Sequence, residues 1–106
     1  MQVQISGHQI EITQALRDHV QSKLDRLERH FDNLTSLNVV LSVEKLDQLA
    51  EGTLVGSGCN LHAQACDTDM YNAIDQMFDK LVVQLRKYKE KLTDHHQREG
   101  RAMQYG

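Results

Sequence analysis

The stretch Leu37-Asn38-Val39-Val40-Leu41-Ser42-Val43-Glu44-Lys45 decides the fold. Side chains alternate along an extended chain, so Leu37, Val39, Leu41 and Val43 share one face and Asn38, Val40, Ser42 and Glu44 the other. A strand with one apolar face needs neighbouring strands to complete its hydrogen bonds and a second layer to cover that face.

Upstream, Gln2 to Ser6 alternates in the same way, with Val3 and Ile5 opposed to Gln2 and Gln4, and a shorter strand closes at Gly7. Thr13 is placed to cap a helix, because its hydroxyl can accept from a first-turn N–H. From Leu16 through Val20, Leu24, Leu27 and Phe31 the apolar residues recur at intervals of four and three, the stripe of a helix of about five turns. Asp32 and Asn33 end it.

Downstream, a loop is expected over Asp47 to Gly52. Thr53 to Gly56 and Asn60 to Cys66 then flank Gly56-Ser57-Gly58, which predicts an antiparallel hairpin. Asp67, Thr68 or Asp69 caps a final helix of about six turns, whose stripe runs from Met70 through Ile74, Met77, Phe78, Leu81, Leu85 and Tyr88 to Leu92. Its methionines read as ordinary core packing. The predicted order is βαβββα, an α+β fold with a four-stranded mixed sheet and two helices on one face. Residues 1–92 form the single domain, and 93–106 lose periodicity and read as a flexible C-terminal tail.

With 106 residues, 40% hydrophobic and 25% charged, the chain has material for one modest core and no second domain. The first residues lack the basic flank and apolar run of a signal peptide, and no stretch approaches the roughly 20 apolar residues that span a bilayer. A cytoplasmic protein without a membrane partner is expected. Two cysteines, Cys59 and Cys66, are too few for a disulfide framework.

Catalysis finds little support. The six histidines are scattered, none pairs recognisably with a Ser, Cys or carboxylate that would activate a nucleophile, and no GxxxxGK phosphate loop is present. Cys59, His62 and Cys66 lack CxxC spacing, and strand alternation sends 59 and 66 to opposite faces. The expectation is a non-enzyme with no metal and no cofactor.

Charge is more telling. Lys80 to Lys91 carries Lys80, Arg86, Lys87, Lys89 and Lys91 against Glu90 alone, a sum of +4 in a chain whose net charge is -3. A compact basic patch on an acidic body suits a polyanion. The plainer reading is a solvated face whose cations complement the C-terminal end of a helix dipole. Helical geometry places Lys80, Gln84, Lys87 and Lys91 in one sector of roughly 60° beside the apolar stripe, with Arg86 and Lys89 elsewhere. On the first helix His19, Lys23, Arg26 and His30 cluster beside the stripe, while Arg29 points away. If the helices lie side by side, the two rows border one groove. Such a groove binds phosphates through charge, with steep salt dependence and little base readout, and favours structured RNA.

The ordered set Val3-Gln4-Ile5-Ser6-Gly7, Glu11-Ile12-Thr13 with Ala15-Leu16-Arg17, Lys23-Leu24 with Leu27-Glu28, Val40-Leu41 with Val43-Glu44-Lys45, Asp69-Met70-Tyr71 with Ala73-Ile74-Asp75, Asp79-Lys80-Leu81, Gln84-Leu85 and Lys87 to Leu92 resembles the short ribosome hibernation promoting factors, relatives of the inhibitor protein Y. The resemblance spans Met1 to Leu92. It implies a fold similar to double-stranded RNA-binding domains, and binding to 16S rRNA of the small ribosomal subunit in the channel used by mRNA and tRNA. It further implies translation inhibition in stationary phase, and ribosome dimers formed with ribosome modulation factor. Free in solution, the chain is expected to be a monomer.

The family's basic positions map onto Lys23, Arg26, Lys80, Lys87 and Lys91, with Arg86 and Lys89 beside them as RNA-binding candidates. Relatives often carry a cation where this chain has Val83. The tail, with Arg98 and Arg101, lacks the acidic run of protein Y, which opposes dimerisation. Two other readings stand beside this one: a protein Y-type inhibitor without dimer formation, and a protein-interaction module docking through the open sheet face of Gln4, Ser42, Glu44, His62 and Gln64.

Overall fold

The computed structural model describes residues 1–56 and 58–97, with side chains described as far as Glu90. Along the chain run β1 (Gln2–His8), α1 (Gln14–His30), β2 (Leu34–Glu44), β3 (Asp47–Gly56), β4 (Cys59–Asp67) and α2 (Met70–Gln97). The sheet order is β1-β2-β3-β4. β1 pairs with β2 in parallel, and the two later pairings are antiparallel. The predicted βαβββα order and mixed sheet both hold. A parallel pair needs a crossover between its strands, which α1 provides.

The alternation of β2 does what it predicts. Leu37, Val39 and Leu41 are buried, and they join Val20, Leu24 and Leu27 of α1 and Ile74, Met77 and Leu81 of α2 in one core. Both helices therefore cover the same face of the sheet. Thr13 caps α1 as expected, its hydroxyl accepting from the Leu16 N–H at 3.2 Å. Of the three cap candidates for α2, Asp69 is the one whose carboxylate accepts from a first-turn amide, that of Tyr71, at 2.8 Å. Asp67 instead accepts from the Asp69 N–H at 3.0 Å and from Gln76 at 2.9 Å, tying the end of β4 to α2.

Three boundaries differ from the sequence reading. The loop expected over Asp47 to Gly52 is the first half of β3, because the chain already reverses at Lys45-Leu46, between the paired Glu44 and Asp47. That turn contains no Gly, Pro, Asn or Asp; Lys45 itself takes a φ of 58°. The core face of β3 then continues through Ala50, Gly52 and Leu54, all buried, and small residues hide the apolar alternation. At Gly52 the smallness has a cause: a Cβ there would lie 2.7 Å from the Met77 sulfur, so a larger residue would force the Met77 side chain to move. β2 also begins earlier than expected, at Leu34.

At the other end α2 continues to Gln97, so Thr93 to Gln97 are helical rather than part of a tail. No Gly or Pro interrupts the chain between Leu92 and Gln97, so nothing in that stretch opposes continued helix. The rest of the expected tail, from Arg98, lies outside the described residues, as does Ser57 of the second hairpin. That hairpin is otherwise as predicted, with Gly56 paired to Cys59 and Gly58 at a φ of 79°. Among the described residues no helix is long and apolar enough to cross a membrane.

Candidate nucleic-acid interface

Two flanks run along α2, one on each side of its buried stripe, and the fold gives them different neighbours. The first faces α1. His19 and Lys23 of α1 meet Asp75 of α2, with His19 Nε2 at 2.7 Å and Lys23 Nζ at 3.3 Å from the same carboxylate oxygen. The His19 ring also meets Tyr71 edge-on at 5.0 Å. Two turns further along α1, the Lys89 ammonium lies over the Phe31 ring at 5.3 Å. Because 19 matches 75 and 31 matches 89, the two helices run side by side in the same direction.

Between these two contacts lies a groove of about 430 Å³. Its apolar floor is built from Leu27, Phe31, Phe78 and Val82, and its rims carry Lys23, Arg26 and His30 on α1 and Asp79 and Arg86 on α2. Asp75 holds Lys23 at one end. The other end, around Arg26, His30 and Arg86, is where positive charge is concentrated.

The second flank faces β4, which forms an edge of the sheet. Lys80 Nζ donates to the Gln64 carbonyl at 2.7 Å, and Gln84 Nε2 donates to the His62 carbonyl at 2.8 Å. These side chains occupy main-chain acceptors that an exposed edge would otherwise offer to another strand. Val83, about half exposed, lines a shallow recess with them. Lys87 is exposed and lies seven residues from Lys80, which returns it to the same flank.

The α1 row therefore borders the groove as expected, but the α2 row does not. Lys80 and Lys87 lie on the β4 flank, and Arg86 and Lys89, set aside by the helical wheel, lie on the α1 flank. The wheel places both rows beside the apolar stripe; which side α1 takes is a property of the packing. Lys91 belongs to α2, but its side chain lies outside those described. Asp75 escaped the sequence reading because its partners are 52 and 56 residues away.

The open face of the sheet is polar where β1 to β4 align Gln4, Asn38, Thr53 and His62 in register. There His62 contacts Glu51 at 3.0 Å and Thr53 at 3.1 Å. Cys59 packs toward the helix-covered core, while His62 and Cys66 lie on the open side. The Cys66 thiol is pushed up from its ordinary pKa by desolvation and then by the carboxylates of Asp47 and Asp67, which disfavours the reactive thiolate.

The family described as sigma 54 modulation protein / S30EA ribosomal protein matches residues 3–93. The chain belongs to this family. Among its relatives, the ribosome hibernation promoting factor of Azotobacter vinelandii is 55% identical over 97 residues, which cover 92% of this chain and 91% of that one. The ribosome hibernation promoting factor of Escherichia coli K12 is 46% identical over 95 residues, covering 90% of this chain and all of the relative. Two solved structures share the fold. A ribosomal subunit interface protein from Coxiella burnetii superposes with a TM-score of 0.80 at 31% identity, over 85% of this chain and 99% of its own. The N-terminal domain of Thermus thermophilus protein Y gives 0.78 at 35% identity, over 83% and 99%. The resemblance to hibernation promoting factors is thus confirmed, and with it a family of non-enzymatic, ribosome-associated proteins.

Proposed function

We propose that the chain binds 16S rRNA of the small ribosomal subunit, fills the channel used by mRNA and tRNA, and so inhibits translation in stationary phase. In this reading it acts in the cytoplasm and promotes inactive ribosome dimers together with ribosome modulation factor. The observation that carries the reading is the groove between the two helices in a chain of the S30EA ribosomal protein family, its basic end formed by Arg26, His30 and Arg86. Cations on two parallel helices are positioned to meet phosphates along one groove, because the helices pack on one core. Inhibition then needs no chemistry: a folded body in the channel excludes other ligands. Charge steering makes association fast and salt-sensitive.

The test is co-sedimentation with purified small subunits over a salt series. The wild type is compared with Arg26→Glu/Arg86→Glu on the groove flank and Lys80→Glu/Lys87→Glu on the β4 flank, each checked for folding by circular dichroism. The expected result is loss of pelleting in the first variant and a shallower salt dependence. Binding by both variants at the wild-type level would overturn the charge-based reading. A second outcome is inhibition of single ribosomes without dimers. Sucrose gradients with and without ribosome modulation factor separate the two.

A further inference from the structure

The groove between α1 and α2 is more than a row of charges. A row that only followed an RNA backbone would need no apolar floor, since phosphates and riboses are polar and well hydrated. This groove has one, in Leu27, Phe78 and half-buried Val82, and its volume of about 430 Å³ falls in the range of small-ligand sites, about 300–1,000 Å³. Arg26 and Arg86 lie on opposite rims. A guanidinium plane stacks on a nucleobase as well as pairing with a phosphate, and RNA-binding proteins commonly seat unstacked bases on arginine planes. Asp79 adds a carboxylate on the α2 rim, an acceptor suited to the exocyclic amine of cytosine, adenine or guanine.

We infer that this groove takes one unstacked nucleotide of a single-stranded RNA segment. Its base lies on the apolar floor against the arginine planes, and its phosphate meets Arg26, His30 and Arg86. The inference rests on the proposed RNA-binding role and adds a base-sized subsite to it. Asp79, which repels phosphate, then has a function: it turns a charged groove into one that prefers amino-bearing bases to uracil.

Two variants test the subsite without changing net charge. Val82→Phe fills the floor with an apolar ring, and Arg86→Lys keeps the cation but removes the plane. Binding is measured by fluorescence anisotropy with labelled five-nucleotide cytidine and uridine strands, with a short RNA duplex as the control, and small-subunit co-sedimentation is run in parallel. The wild type is expected to favour the cytidine strand. Each variant that passes a urea-unfolding check is expected to lose about ten-fold in single-strand affinity, the scale of one base stack, and for Val82→Phe, which leaves every cation in place, the ratio of single-strand to duplex affinity is expected to fall by the same factor. Should Arg86→Lys and Val82→Phe both bind the cytidine strand like the wild type, the subsite is overturned even if subunit binding persists. Equal affinity of the wild type for cytidine strand, uridine strand and duplex overturns it as well. Loss of subunit binding only in the Arg26→Glu/Arg86→Glu variant would support the phosphate row and count against the base site.

Discussion

Both flanks of α2 carry cations, but the β4 flank holds Lys80 and Lys87 whereas the α1 flank sets Arg86 and Lys89 beside Asp75 and Asp79, and the two have different structural roles. On the α1 side, Arg86 borders a groove with Arg26 and His30, and an acid, Asp75, holds Lys23 at the far end. On the β4 side, Lys80 and Gln84 donate into the carbonyls of an edge strand, so one of the Lys80 N–H groups already has a main-chain partner. A cation count along the helix treats Lys80 and Arg86 alike. Their neighbours do not: one side chain closes a sheet edge, and the other lines an open groove.

The largest expected effect removes the support shared by both flanks. Leu81 is fully buried on the stripe between them, and Leu81→Ala should cost about 2–5 kcal/mol, through lost transfer energy plus a cavity. Urea unfolding measures it, and a loss below that range would mean the flanks do not depend on one core. Next comes the contrast in binding. If charged contacts are worth about 1.5 kcal/mol each, Arg26→Glu/Arg86→Glu should weaken subunit binding by roughly 100-fold. Lys80→Glu/Lys87→Glu should weaken it less, and equal losses would erase the distinction between the flanks.

A smaller effect sharpens the β4 side alone. Lys80→Ala/Gln84→Ala removes two exposed hydrogen bonds at a cost of about 1 kcal/mol in total. It should also expose the edge, so that sedimentation velocity shows self-association which the groove variants lack. The smallest effect is in acid. The Asp67 carboxyl is held below its ordinary pKa, first by the Asp69 N–H and then by the amides of Gln76 and Asn72. A depressed folded pKa stabilises the protein above the unfolded value of about 3.9, and that contribution is lost as pH falls below it toward the folded value. Asp67→Asn should therefore flatten the acid limb of a stability profile below pH of about 4.

Much of this architecture is legible in the sequence, wherever a periodic run of large apolar residues marks a buried face. β2, α1 and α2 show it in Leu37 to Val43, Leu16 to Leu27 and Met70 to Leu85. The first half of β3 does not, because its core-facing residues there are the small Ala50 and Gly52, the latter close against Met77, and because Lys45-Leu46 turns the chain without a turn residue. The cations of the groove are also legible one helix at a time. Their partnership is not, since pairing Arg26 with Arg86, or Lys23 with Asp75, requires knowing on which side of α2 the first helix lies.

The two-residue reversals at Lys45-Leu46 and between Gly56 and Cys59 have a kinetic consequence. They make β2, β3 and β4 a meander whose contacts are close in sequence, whereas β1 must wait for α1 to cross before it meets β2. Local pairings close with little loss of chain entropy and distant ones with more. The meander with α2 laid across it is expected to assemble first, and β1 to dock last. In hydrogen exchange, the amides of β1 should then open before those of β3, so the amino-terminal strand is where the native state first comes apart.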